Sequence, residues 1–427
     1  MSRARRPSKR IGVLLVNPGG PGGSGTKFVR QLQNGLSDAL LDRFDVVGWD
    51  PRGVGDTGQI RCLGTTAAYD RFYALDPDPD TTDEAVALVN EAKEFAAGCA
   101  ARNTVDTLRF AGTANVVDDI ESIRIALGEE NISFFGFSYG TLLGLRYADR
   151  FPGRVRAFAL DGVLDPTADT AERSVQQAVG FDRALDAFLA LCAKGGCGWV
   201  RNGETAGGAF DRLAKSIDAV PLAVKRSKGV IRHLGPGEFT VGVLAALYSR
   251  ESGWPVLRQA LEKADSGDGS FMLNLFDAYA DRDRTGYGNI ADSNAAVNCV
   301  DVVSPRGEDG FTALADRLAK TSPRFGRLAG YSSLVCGFWP VPATGPLTPV
   351  VARGSAPILV IGTTRDPATP YVWAQSAARN LDHATLLTYD SDGHTAYLTG
   401  NRCIRRFVDQ YLLTTKTPPS GSRCERQ

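Results

Sequence analysis

The pentapeptide Gly136-Phe137-Ser138-Tyr139-Gly140 sets a serine between two glycines where an apolar run ends and a helical pattern begins. A tight strand-to-helix turn of this kind lifts a hydroxyl above the end of a sheet and needs neighbours without bulk. A serine hydroxyl is a weak nucleophile at neutral pH and requires a base. The chain has three histidines, His233, His383 and His394. His394, in Ser391-Asp392-Gly393-His394-Thr395, follows the end of a predicted strand, as Ser138 does. His383 precedes that strand and belongs at the opposite end of a parallel sheet. His233 lies in a stretch without strand–helix alternation. An imidazole that titrates at about 6.5 can take and return a proton near neutrality. The matching acid should leave a strand end and precede the histidine in the chain. Asp366, in Gly362-Thr363-Thr364-Arg365-Asp366-Pro367, does so. Asp390 and Asp392 are rivals, but they sit too near His394 along the chain to stand behind its ring. The expected chemistry is acyl transfer through a covalent serine intermediate.

Such chemistry also needs N–H donors for the oxyanion. One is the amide of Tyr139, the residue after the serine. The others are expected from Gly19 and Gly20, in the loop Asn17-Pro18-Gly19-Gly20-Pro21-Gly22-Gly23-Ser24-Gly25, whose glycines allow close backbone approach. This loop lacks the G-K-[ST] ending and the G-x-G-x-x-G register of phosphate-binding loops. Asp281-Arg282-Asp283-Arg284-Thr285-Gly286 begins like a calcium loop, but two arginines interrupt its acids and Asp292 stands at the twelfth position where glutamate belongs. It reads as an ordinary loop. Neither a metal nor a cofactor is expected.

These residues need a sheet to carry them. Gly12–Val16, Phe44–Trp49, Ile132–Phe137 and Val155–Leu160 are short apolar runs, each read as a buried strand. Val116, Ile120, Ile123 and Leu127 recur at helical spacing, and Thr141–Ala148 continues from the elbow as a helix. Strands alternating with helices predict a parallel sheet covered on both faces. The alternation stops at about residue 167. Helical patterns such as Ser174–Cys192, Gly208–Ile217, Gly237–Tyr248 and Pro255–Lys263 follow. Pro357–Ile361 and Ala384–Tyr389 resume the strands, with helices at Pro370–Asn380 and Arg402–Leu413. The expected division is a core of residues 11–166 and 346–427 with a helical cap at 167–345.

The chain's 427 residues suffice for that arrangement, at roughly 100–200 residues per domain. Lys+Arg and Asp+Glu both number 48, so no net field draws nucleic acid or an anionic membrane. No apolar run approaches the ~20 residues of a membrane span. Five basic residues precede Ile11 (Arg3, Arg5, Arg6, Lys9 and Arg10), and they read as a solvated tail. No signal-peptide pattern follows them. The eight cysteines are even in number and fall into four sequential near pairs without C-x-x-C. With only three histidines, zinc is poorly supported, and disulfides would imply an oxidising compartment.

Together the motifs resemble the tripeptidyl aminopeptidase and proline iminopeptidase branch of the α/β-hydrolases. The resemblance rests on Asn17–Gly25, Asp45-Val46-Val47-Gly48-Trp49-Asp50-Pro51-Arg52-Gly53-Val54-Gly55, Gly136–Gly140, Leu160-Asp161-Gly162-Val163, Asp366-Pro367-Ala368-Thr369-Pro370 and Gly393-His394-Thr395. It runs from about Ile11 to Cys424. Pro18 stands where proline iminopeptidases usually carry a histidine, as in the secreted, cysteine-bearing tripeptidyl aminopeptidases of actinobacteria. The resemblance implies an exopeptidase that removes short peptides from a free N-terminus beneath a helical cap. Together with proximity along the chain, it favours the pairs Cys62–Cys99, Cys192–Cys197, Cys299–Cys336 and Cys403–Cys424. Relatives carry a signal peptide and two antiparallel strands before the Asn-Pro-Gly-Gly-Pro-Gly strand, whereas this chain begins almost at that strand. The expected sheet therefore has six strands with Phe44–Trp49 at an edge, in a chain that is either a fragment or given too late a start. A secreted or cell-envelope location follows from the cysteines and the family, and a cytoplasmic one stays open without a leader.

Three functions remain in play on the sequence. One is a peptidase acting on N-terminal di- or tripeptides, and another an esterase, lactonase or thioesterase with the same triad. The third is an inactive hydrolase fold used for binding, against which the complete triad argues. An aminopeptidase must hold a cationic amine. Asp301, beside Cys299, is the expected partner, since an acid tied near a disulfide is held in place.

Overall fold

The computed structural model describes residues 1–226, 229–344 and 348–427. The apolar runs form β1 (Gly12–Asn17), β2 (Phe44–Gly48), β3 (Ile132–Phe137) and β4 (Val155–Asp161). Two small hairpins follow, β5 (Leu222–Lys225) with β6 (Ile231–Leu234), and β7 (Arg282–Asp283) with β8 (Gly286–Tyr287). β9 (Ile358–Arg365), β10 (Ala384–Asp392) and β11 (Arg423–Glu425) complete the set. The large sheet runs in the order β11-β10-β9-β4-β3-β1-β2, and every pairing in it is parallel.

Both faces of this sheet are covered, which is why its strands read as unbroken apolar runs. Alternate side chains point to opposite faces. Leu14, Val16, Phe135, Phe137 and Leu359 pack with the helix Arg402–Thr414. Val13, Leu15, Phe134, Phe158 and Val360 pack with the helices Thr113–Ala126, Tyr139–Arg150 and Tyr371–Asn380. Each such side chain, fully buried, contributes about 1.5–3 kcal/mol.

The sheet has seven strands where six were expected. The seventh, β11, is three residues near the C-terminus, paired with Thr388–Asp390 and tethered by Cys403–Cys424. A strand that short has no periodicity to read, and the disulfide and the open edge of β10 decide its place. Phe44–Gly48 is an edge strand, as expected, but it is not bare. Ser2 pairs with Val46 through two 2.8 Å backbone hydrogen bonds, and the Ala4 amide donates to Asp45 at 2.8 Å. The basic segment is docked on this edge, and Arg3 and Arg10 stay exposed to solvent. They bind the buried Asp45 at 3.2 and 2.9 Å, an arrangement that also shields the edge from foreign strands.

The helical part does not come from residues after β4 alone. One apolar cluster joins Ile60, Phe95, Cys99 and Leu108, from the connection between β2 and β3, to Phe188, Phe239, Trp254 and Phe276 beyond β4. Residues 60–111 thus pack with the helical part, although they precede the nucleophile in the chain. The expected boundary at 345/346 lies outside the described residues. Asp281–Gly286, the calcium-like stretch, turns between β7 and β8. There Asp283 accepts from the Thr285 amide, and Asp281 pairs with Lys27 at 2.9 Å.

The cysteines form four disulfides, in the pairs expected. Among the described residues no helix is long and apolar enough to cross a membrane.

Candidate active site

β3 delivers Ser138 to the C-terminal end of the sheet, where the helix Tyr139–Arg150 begins. Ser138 adopts φ 55°, ψ −127°, a positive-φ conformation that costs a non-glycine residue about 1–3 kcal/mol. The surroundings over-determine it. Its amide donates to the Asp161 carbonyl at 3.0 Å, and its carbonyl accepts from the Thr141 amide at 2.9 Å and the Thr141 hydroxyl at 2.6 Å. The glycine on the helix side is a steric necessity, because a Cβ on Gly140 would lie 2.7 Å from the Asn17 carbonyl oxygen on β1.

Asp366 and His394 leave the ends of β9 and β10, two strands that pair directly. His394 Nδ1 lies 3.0 and 2.9 Å from the two oxygens of Asp366. The carboxylate is oriented on every side. Oδ1 accepts from the amides of Ala368 and Thr369 at 2.9 and 2.8 Å, and Oδ2 from the Thr369 hydroxyl at 3.0 Å and the Thr395 amide at 3.2 Å. His394 Nε2 is buried and finds no hydrogen-bond partner among the described residues. The ring lies over the end of β4, with its Cε1 3.0 Å from where a Cβ on Gly162 would be. Gly162 follows Asp161, the residue that holds the Ser138 amide. Burial lowers the pKa of the imidazole, but the charge of Asp366, its hydrogen bond and the charge of Asp161 outweigh burial, and the net shift is upward from 6.5.

Asp161 is a site residue that sequence reasoning passed over. It is fully buried, and its carboxylate accepts from the amides of Ala396 and Tyr397 at 2.8–3.0 Å, fixing the turn that follows His394. Desolvation pushes it up to about 6, against the pull of those amides and of His394. The available signal was an acid closing a strand in Leu160-Asp161-Gly162-Val163. Thr369, which touches both Asp366 Oδ2 and His394 Nδ1 (3.2 Å), was also missed.

The glycine loop packs on the elbow. A Cβ on Gly19 would lie 2.5 Å from the Phe137 carbonyl oxygen and 2.9 Å from the Ser138 Cβ. The Gly19 amide, expected as an oxyanion donor, already donates to Asn17 Oδ1 at 2.9 Å. Among the described residues no hydrogen bond engages the amide of Gly20, the other member of the expected pair on this loop. Tyr139, as the first residue of its helix, has an amide with no intrahelical acceptor. Asp50 braces the loop by accepting from the Ser24 hydroxyl at 2.7 Å and the Thr26 amide at 3.0 Å.

Asp301 is placed differently from its expected role. It is 6% exposed, and its two oxygens accept from the Thr113 amide (2.8 Å) and the Thr113 hydroxyl. That hydroxyl lies 2.6 Å from the Tyr139 phenol. Asp301 therefore anchors the side chain of the residue after Ser138 from within. A carboxylate so enclosed is not presented to a substrate amine. Asp390 and Asp392 bind Arg365, each at 2.7 Å, and neither replaces Asp366. His383 is exposed beside Asp382, at the opposite ends of β9 and β10, and His233 is exposed on β6.

The helical part reaches all three loops of the site. The Tyr248 carbonyl accepts from the His394 amide at 2.7 Å, Asn294 donates to the Pro21 carbonyl at 3.1 Å, and Gln177 to the Ala368 carbonyl at 2.7 Å.

A parallel sheet that presents an elbow serine after β3, a buried acid after β9 and a histidine after β10, all at its C-terminal end, is the architecture of an α/β-hydrolase, and the chain is a serine hydrolase of that fold. Residues 322–424 match the family model described as TAP-like protein. Over 428 residues the chain is 37% identical to the serine protease Hip1 of Mycobacterium tuberculosis, covering 97% of this chain and 81% of that one. It is 37% identical to carboxylesterase B of the same organism, covering 99% and 81%. It is 31% identical to the tripeptidyl aminopeptidase of Streptomyces lividans, covering 98% and 77%. The chain belongs to this tripeptidyl aminopeptidase-like family.

Proposed function

We propose that the protein is a serine exopeptidase that releases short peptides from free N-termini through an acyl-enzyme on Ser138. The observation that carries the reading is the histidine. Its Nδ1 is fixed by Asp366, while its Nε2 is buried without a hydrogen-bond partner among the described residues, and the ring lies over Gly162, next to the residue whose carbonyl holds the Ser138 amide. In this reading Ser138 Oγ attacks the scissile carbonyl carbon and its proton passes to His394 Nε2. The oxyanion takes hydrogen bonds from the amides of Tyr139 and Gly20. The peptide C–N bond then breaks, the amine leaves with the proton held by His394, and water attacks the acyl-enzyme by the same route. Asp366 keeps the proton of neutral His394 on Nδ1 and stabilises the imidazolium.

Two of the reported relatives carry peptidase names, and in this reading the helical part, which touches the three loops of the site, restricts access to chain ends. Residues 167–344, together with 60–111, act as the cap. Four disulfides persist only where glutathione and thioredoxin do not reduce them, which supports a secreted or cell-envelope location.

A panel of chromogenic di- and tripeptides with free or acylated N-termini, set beside short-chain esters, tests the substrate class. Turnover of free-amine peptides at least tenfold above their blocked forms is expected. Turnover confined to esters would replace the peptidase reading with that of a carboxylesterase.

A further inference from the structure

His394 is held from a second direction, by the helical part. Between the helices Pro236–Leu247 and Gly253–Asp265 the chain runs as Tyr248-Ser249-Arg250 beside Asp392-Gly393-His394. Ser249 and Gly393 form an antiparallel bridge, and the His394 amide donates to the Tyr248 carbonyl at 2.7 Å. The Tyr248 ring stands edge-on to the imidazole, centroids 5.2 Å apart at 89°. Gly393 permits this approach. Its φ is +111°, and a Cβ there would sit 3.1 Å from the Tyr248 carbonyl oxygen and 3.5 Å from the Arg250 nitrogen.

Charge fastens the contact. Arg250 Nη1 donates to Asp392 Oδ2 at 2.5 Å, and Arg365 Nε donates to Asp392 Oδ1 at 2.7 Å. One arginine comes from the helical part and the other precedes Asp366. The Arg250 guanidinium rests 4.7 Å from the centre of the Trp254 ring, which restricts it further. The Arg250 and Asp392 side chains are 18% and 7% exposed. Ion pairs this enclosed add little net stability, because desolvation offsets attraction, but they fix geometry.

We propose that Arg250 is a positioning residue for acyl transfer. By binding Asp392 it locks the Gly393-His394 turn against the Tyr248 carbonyl and sets the imidazole between Asp366 and Ser138. The inference rests on the triad reading given above. A base displaced by about 1 Å can lose on the order of 100-fold in rate while substrate still binds.

The test uses the full-length, disulfide-intact protein as Arg250→Ala, Arg250→Lys, Asp392→Asn and the Ala/Asn double variant. A fluorophosphonate titrates active sites, and kcat per titrated site and KM are measured on the best chromogenic substrate of the wild type. Arg250→Ala is expected to lower kcat per site by about 10- to 100-fold with KM within threefold. Arg250→Lys, which keeps the charge and one donor, should recover most of that loss. The double variant should be no slower than the slower single variant. An unchanged kcat per site with only a lower melting temperature would reduce Arg250 to a structural role and overturn the proposal. So would a rise confined to KM, or losses that multiply in the double variant. Failure of the triad reading looks different, because the fluorophosphonate would then not label Ser138 even in the wild type.

Discussion

Asp366→Asn isolates the part of the site that the structure defines most closely. The carboxylate Oδ1 accepts from two backbone amides, at 2.9 and 2.8 Å. The oxygen of an asparagine will keep that position, because an NH2 group facing two N–H donors is repelled. The NH2 group then occupies the place of Oδ2, 2.9 Å from His394 Nδ1. It can only donate there, which favours Nδ1 as the acceptor, with the imidazole proton on Nε2, over the remaining bond from Nδ1–H to the asparagine oxygen 3.0 Å away in the place of Oδ1. A ring protonated on Nε2 cannot take the proton of Ser138. Loss of the tautomer and of the negative charge behind the imidazolium is expected to cost about 10⁴-fold in kcat, or roughly 5 kcal/mol of barrier. The charge of Asp366 and its hydrogen bond are also what raise the His394 pKa against burial, so the acidic limb of kcat/KM should move to lower pH in the variant. The Thr395 amide, 3.2 Å from Oδ2, loses its acceptor, and unfolding free energy should fall by about 1–3 kcal/mol. The assay is kcat/KM from pH 5 to 9 with a chromogenic peptide, with urea unfolding alongside. Activity within tenfold of wild type in a folded variant, or an acidic limb that does not move, would refute the assignment of Asp366.

Ser138→Ala should leave the fold intact and reduce turnover by more than a thousandfold, since loss of a triad nucleophile costs at least that. Fluorophosphonate labelling of any other serine would move the nucleophile elsewhere. In the wild type, kcat/KM should rise with pH through a midpoint above 6.5. The base must be neutral to work, and its pKa is raised, so a profile flat from pH 5 to 8 would count against His394. The disulfides close loops of 37, 5, 37 and 21 residues, which in the chain-entropy model stabilise by about 4, 2, 4 and 3 kcal/mol. Full reduction should therefore cost on the order of 10 kcal/mol, comparable to the whole margin of a domain, and unfold the protein near room temperature. A melting temperature that shifts by only a few degrees would contradict that account.

The candidate residues Ser138, Asp366 and His394 were legible in the sequence because each follows an apolar run, and a parallel sheet puts all C-terminal strand ends on one side. Local periodicity carries that information, and the chain order of serine, acid and histidine adds to it. The apolar runs likewise announced the sheet, since strands buried on both faces cannot carry polar alternation. What the sequence could not determine depends on contacts between residues far apart in the chain. Whether the Gly19 amide is free or taken by Asn17 is a matter of side-chain geometry within a loop. Asp301, beside Cys299, was the expected partner of a substrate amine, but the end of the helix Ile290–Asp301 turns it inward onto Thr113, 188 residues away. The packing of residues 60–111 with the helical part, the capture of three C-terminal residues as a seventh strand, and the docking of Tyr248–Arg250 on the His394 turn all have the same cause. Each surface is completed by a partner that only the folded chain brings near, and burial of that joint surface, not any local preference, selects the arrangement.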